Sequence, residues 1–163
     1  MNLKKQILMM SFTLAVALLA VSSVTFGQER PRTIDGTWLA AVTPRNCATG
    51  DPIPNAAFRS MFSFNKGGTM VAYGVSVGQS PATVSPELGV WKREMGWKEY
   101  SFAFVVFRYS ATGVFIGSTH VRAAVTLGES GNELSTVSSL QILDANDVVI
   151  GTGCATSVAT RFE

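Results

Sequence analysis

The chain has 163 residues, 47% hydrophobic and 15% charged. That length and balance support one domain with a sizeable core and exclude a disordered chain. Setting aside Lys4 and Lys5, which belong to an N-terminal leader, 11 of the 13 basic residues remain against 11 acidic ones. A net charge near zero leaves no positive surplus to neutralise phosphates, which argues against a nucleic acid partner.

The leader comes first in chain order. Lys4-Lys5 is a basic start, residues 7–21 are apolar apart from Ser11 and Thr13, and Thr25-Phe26-Gly27 before Gln28 reads as a cleavage point. Residues 1–27 are therefore expected to be a cleaved secretory signal, leaving a single domain over 28–163, about 136 residues. The apolar run is shorter than the roughly 20 residues a spanning helix needs. No later segment is long and apolar enough, so no integral membrane segment is expected after cleavage. The expected location is secreted or periplasmic, and the signal suits a bacterial exporter.

The remainder shows no long amphipathic pattern. Gly, Pro and turn residues divide it into short runs rich in Val, Thr, Phe and Tyr. Strands are predicted over 36–43, 58–65, 69–77, 89–93, 99–109, 114–127, 134–143 and 148–162. Lys66-Gly67-Gly68 predicts a tight hairpin between the second and third. Residues 45–55 and 78–88 carry Pro52, Pro54, Pro81 and Pro86 and read as loops. Eight strands joined mostly by local turns predict an all-β, eight-stranded antiparallel up-and-down barrel, since closure removes exposed edges. A two-sheet sandwich is the competing architecture.

Export makes the cysteine count informative. Cys47 and Cys154 are the two cysteines, near opposite ends of the mature chain. In an oxidising setting they are expected to form a disulfide, closing a loop of about 100 residues worth up to roughly 4–5 kcal/mol. Such a bond fits a barrel whose first and last strands are neighbours. Two separate buried thiols are the alternative.

The fifth strand has two apolar sides. Phe102, Phe104 and Val106 share one with Arg108, and Ala103, Val105, Phe107 and Tyr109 share the other. One apolar side must then be covered by a second layer, by a long loop, or by another subunit, and a homo-oligomer is expected.

Gly36-Thr37-Trp38 opens the first strand and Thr160-Arg161 closes the last. In these residues the chain resembles lipocalins and the wider calycin group, whose first strand carries Gly-x-Trp with an Arg near the barrel's end packed over the Trp. The resemblance implies a calycin-like barrel in which Trp38 and Arg161 shut one end. A second Gly-x-Trp, Gly89-Val90-Trp91, lies within the chain. The exported, strand-only layout also resembles the allene oxide cyclase and dirigent group, with no catalytic motif that matches residue by residue.

His120 is the only histidine. Ser118 and Arg122 share its side of the sixth strand. Turned inward, the three would orient a ligand or move a proton; turned outward, they are ordinary surface. No Gly-x-Ser-x-Gly elbow is present. The acids Glu94, Glu99, Asp144 and Asp147 fall in predicted turns and strand ends, which argues against a glycosidase pair. Trp91, Lys92, Arg93, Trp97 and Lys98 form a basic-aromatic cluster whose charge Glu94 and Glu99 largely cancel. Nothing in the sequence identifies a metal or organic cofactor.

The leading expectation is non-catalytic binding of a small apolar or aromatic molecule inside the barrel. Phe62, Phe64, Tyr73, Phe102, Phe104 and Phe115 are the candidate lining, with His120 and Arg122 as polar contacts. A cyclase- or isomerase-like barrel using His120 or Tyr73, and a structural or interaction protein of the cell envelope, are the alternatives.

Overall fold

A computed structural model describes residues 32–162; the expected leader and its cleavage point lie outside them. Eight strands follow in chain order: β1 (Gly36–Arg45), β2 (Phe58–Asn65), β3 (Thr69–Gly74), β4 (Glu87–Arg93), β5 (Glu99–Tyr109), β6 (Phe115–Leu127), β7 (Glu133–Leu143) and β8 (Val149–Arg161). Each pairs antiparallel with its sequence neighbours, and β8 returns to pair with β1, from Trp38↔Arg161 to Arg45↔Cys154. The sheet is a closed barrel, so no edge is left exposed. The sandwich alternative is thereby set aside.

Local chemistry explains the elements. Gly67 and Gly68 take φ values of 95° and 89°, a conformation that a side chain disfavours. They close the β2–β3 hairpin where the sequence puts it. The β5–β6 ladder slips at Arg108/Tyr109, opposite Gly117, whose φ is 132°. A Cβ at Gly117 would lie 2.1 Å from the Leu143 carbonyl oxygen. Glycine thus permits a bulge that bends the longest strands at one end of the barrel.

Two boundaries differ from expectation. β3 stops at Gly74 and not at 77, and β4 begins at Glu87 and not at 89. The chain ahead of β4 already runs along β5: Val84 bridges Arg108, the Ser85 N–H donates to the Phe107 carbonyl, and Ser85 Oγ accepts from the Phe107 N–H. This loop extends the sheet alongside β5 and leaves the outer face uncovered. Phe107, Leu88 and Val90 on that face remain exposed.

The two ends of the barrel are chemically different. At one end Ile34, Trp38, Phe64, Met70, Tyr100, Leu127 and Leu134 are fully or almost fully buried. Burying side chains of this size is worth about 1.5–3 kcal/mol each before entropy is counted. Arg161 caps this end, its guanidinium carbon 4.3 Å from the Trp38 ring centroid. The same guanidinium donates to the carbonyls of Asp35 (2.6 Å), Thr33 (2.7 Å) and Gly131 (2.9 Å). The Trp38 indole N–H donates to the Ile34 carbonyl at 2.8 Å. A Cβ at Gly36 would sit 2.9 Å from an Arg161 nitrogen, which is why glycine stands two residues before the Trp. The charges of the basic-aromatic cluster are engaged at this same end. Arg93 lies over Tyr100 and donates to its hydroxyl, Lys98 pairs with Glu129, and the Trp91 indole donates to the Asn65 carbonyl.

Candidate functional site

The opposite end is open. Inward side chains of the strands bound a cavity of about 720 Å³. Its lining includes Val42 and Pro44 of β1, Phe58, Ser60 and Phe62 of β2, Glu87 of β4, Phe102 and Phe104 of β5, Val121 of β6, Leu140 of β7 and Ala155 of β8. The loop after β1 forms one side of the mouth through Asn46, Cys47, Ala48 and Ile53.

The floor is aromatic. Phe62 and Phe102 have ring centroids 5.7 Å apart, and Phe102 stacks on Phe104 at 5.9 Å. Phe64 sits next to Phe102 at 5.9 Å, on the sealed side. Small residues on β8 make the space. Gly153 and Ala155 stand opposite Leu140 and Ser138 of β7, so that wall is thin while β2 and β5 supply bulk.

A covalent tie holds the mouth. Cys47 and Cys154 are joined, with Cα atoms 5.3 Å apart across a sequence separation of 107. β1–β8 pairing brings the two ends of the domain together, and the disulfide then anchors the mouth loop to the β8 wall. Arg45 supports the same loop from outside, donating from Nε to Thr156 Oγ1 at 2.7 Å and from a terminal nitrogen to the Gly50 carbonyl at 2.9 Å.

The polar groups of the wall are mostly engaged. Ser60 donates to the Tyr73 carbonyl at 3.0 Å, Ser138 donates to the Ala155 carbonyl at 3.1 Å, and the Thr136 and Ser157 hydroxyls pair at 2.7 Å. Glu87 differs. It is only 9% exposed and borders the cavity. Burial pushes its carboxyl up to about 7, opposed in part by a hydrogen bond from the Gly74 backbone. A carboxylate can accept several hydrogen bonds, so one backbone donor leaves most of that capacity unused. Among the described residues Glu87 is the one acidic side chain in the cavity lining.

The eight residues expected to contact a ligand are divided by the wall. Phe62, Phe102 and Phe104 line the cavity; Phe64 points inward but belongs to the sealed core. Tyr73, Phe115, His120 and Arg122 do not reach the cavity and are corrected to the outside. On β3 the inward positions are Met70 and Ala72, which turns Tyr73 out at 49% exposure. On β6 the inward series is Val121, Ala123, Val125 and Leu127, so His120 and Arg122 take the outer face. There His120 Nε2 meets Ser118 Oγ at 3.1 Å. Phe115 lies beyond the bulge and packs edge-on against Phe107 and Tyr109 outside.

Glu87 escapes the sequence reading because it falls in the Pro-containing stretch 78–88, which reads as a polar loop ahead of a strand that starts at 89. The period-two face shared with Gly89 and the half-buried Trp91 would have pointed it inward. Among the described residues no group of three His, Cys, Asp or Glu side chains is placed to hold a metal ion, and no helix is long and apolar enough to cross a membrane. No protein-family model matches the chain, and no curated protein matches it in sequence.

Proposed function

We propose that this protein is an exported barrel that binds a small, mainly apolar molecule in its open cup. One observation carries the reading: a barrel sealed by side chains at one end keeps a cavity of about 720 Å³ at the other. That volume falls within the range of about 300–1,000 Å³ found for small-molecule sites. An eight-stranded barrel has the side chains to fill itself, and here Gly153, Ala155 and Ser157 leave the space open. The disulfide across the mouth supports export, since such bonds persist in oxidising compartments, and it agrees with the leader-like composition of residues 1–27.

The reading is tested by titrating a neutral apolar fluorophore, N-phenyl-1-naphthylamine, and by mass spectrometry of small molecules that co-purify. Saturable one-to-one binding, abolished by Ala155→Phe in a folded variant, is expected. A dye response that survives the blocked cup, or no response at all, would leave the envelope-structural role as the better account.

A second, catalytic reading is favoured by Glu87 alone. A buried carboxyl that titrates near neutrality suits general acid–base work. It would place a cyclase- or isomerase-like step at Glu87 and not at His120 or Tyr73. Conversion of a bound compound that stops in Glu87→Gln would support it.

A further inference from the structure

Three features of the open end concern the same question, namely what chemistry the guest carries besides hydrocarbon. First, Glu87 is nine-tenths buried and borders an otherwise largely apolar cavity. The neighbouring hydroxyls of Ser60 and Ser138 donate to main-chain carbonyls, and Thr136 and Ser157 bond to each other. Glu87 is therefore the strongest acceptor that a guest would meet.

Second, burial and the Gly74 backbone hydrogen bond are what act on Glu87, with no ion pair to a cation among the described residues. On β3 the titratable Tyr73 points outward, and the 75–86 loop has no titratable side chain. Arg59 of β2 is exposed on the outer face. Arg108, two residues beyond the β5 position level with Glu87, directs a terminal nitrogen to the Leu143 carbonyl at 2.6 Å, while its buried Nε has no hydrogen-bond partner. Arg45 borders the mouth, but its guanidinium is turned to Thr156 and Gly50. His120 and Arg122 of β6 lie outside.

Third, the loops at the open end (46–57, 75–86, 110–114 and 144–148) carry Asp51, Asp144 and Asp147 and no Lys or Arg. Backbone N–H groups of Val148 and Asn146 hold Asp144 in its ionised form. The lysines among the described residues, Lys66, Lys92 and Lys98, stand at the sealed end. Arg45, Arg59 and Arg108 stand on the adjoining strand ends, so the acidic character belongs to the loops and not to the whole rim.

We propose that the cup is selective for an apolar amine, whose ammonium sits against the Glu87 carboxylate while its hydrocarbon lies along Phe62, Phe102, Phe104 and Val121. The proposal rests on the binding reading above and names its ligand class. An uncompensated buried carboxylate is costly, and an ammonium guest supplies the missing partner together with charge-assisted hydrogen bonds. A carboxylate guest would meet repulsion, and an alcohol would gain only a neutral hydrogen bond.

The test uses three probes on one skeleton, decylamine, 1-decanol and decanoate, each displacing the neutral dye. At about pH 8 the amine is expected to bind at least roughly tenfold more tightly than the alcohol, with decanoate weakest. An alkylamine stays protonated well above that pH. Lowering the pH to about 5.5, where the ionised fraction of a group that titrates at about 7 is about thirtyfold smaller, should abolish the amine's advantage. Glu87→Gln should remove both the advantage, read as the ratio of decylamine to 1-decanol affinity, and its pH dependence. If the dye and 1-decanol bind but the amine has no advantage, or if the advantage survives in Glu87→Gln, the amine proposal is wrong and the cup stands. If neither the dye nor any of the three probes binds, the cup itself is wrong.

Discussion

Replacing Glu87 with Gln isolates the energetic consequence of burying one carboxyl. In the unfolded chain Glu87 titrates near its ordinary value of 4.5; in the barrel burial raises this to about 7. Between those values the native state holds a proton that the unfolded state has released. Stability contributed by this group is therefore present in acid, falls as pH rises through the window, and is lost above about 7. At 1.36 kcal/mol per pH unit, the span from 4.5 to about 7 corresponds to a loss on the order of 3 kcal/mol. Gln cannot ionise and keeps nearly the same shape. Its stability should stay level across the window, apart from changes that both proteins share. Urea unfolding followed by tryptophan fluorescence, with the disulfide intact, reads the difference directly. With a slope of about 1–3 kcal/mol/M, the two midpoints should diverge by roughly 1–3 M urea from about pH 4.5 to 8, with the variant the more stable at high pH. Parallel curves would refute the reasoning, because they would mean that solvent reaches the carboxyl.

Other outcomes follow from the same structure. Reducing the Cys47–Cys154 bond, or replacing both cysteines by Ala, should cost about 2–5 kcal/mol of stability and weaken dye binding by freeing the mouth loop. Native protein should weigh two mass units less than its reduced form, a measurement that also confirms the bond. Arg161→Lys keeps the charge but loses the planar fork that holds Thr33, Asp35 and Gly131. It should destabilise by about 2 kcal/mol and red-shift the emission of Trp38, while dye affinity at the other end stays unchanged. Gly89→Ala would place a Cβ 2.1 Å from the Ala103 carbonyl oxygen and 2.6 Å from Phe104 Cβ. A loss of about 1–3 kcal/mol in chemical denaturation is expected, and wild-type stability would show that β4 and β5 separate easily.

The barrel was readable because its turns are written in residues with one conformational purpose. Lys66-Gly67-Gly68 sets β2 and β3 in register, and β5 was bounded correctly by turns on both sides. Cysteines near both ends, with Trp38 and Arg161, already suggested that the first and last strands meet. The faces were harder to read, because several strands are apolar on both sides. Met70 and Ala72 compete with Val71 and Tyr73, and nothing local says which pair turns inward. β6 was more legible than the site assignment made it, since Val121, Ala123, Val125 and Leu127 alternate cleanly with polar or small residues. Phe115 could not be placed without the bulge at Gly117, which changes the side on which the residues before it emerge. The cup itself depends on small residues of β8 facing larger ones across the barrel. Volume of that kind is a property of the closed ring and not of any one segment.

In the proposed binding mode a guest enters this barrel from the disulfide-tethered end and rests on Phe62, Phe102 and Phe104. Methyl-resolved NMR during titration with the neutral dye tests it most directly. Saturable shifts are expected at Val42, Val121, Leu140 and Ala155, which line the cavity, with Leu127 and Leu134 in the sealed core unmoved. Shifts confined to outward residues such as Leu88, Val90 and Val158, with the cavity methyls silent, would contradict it.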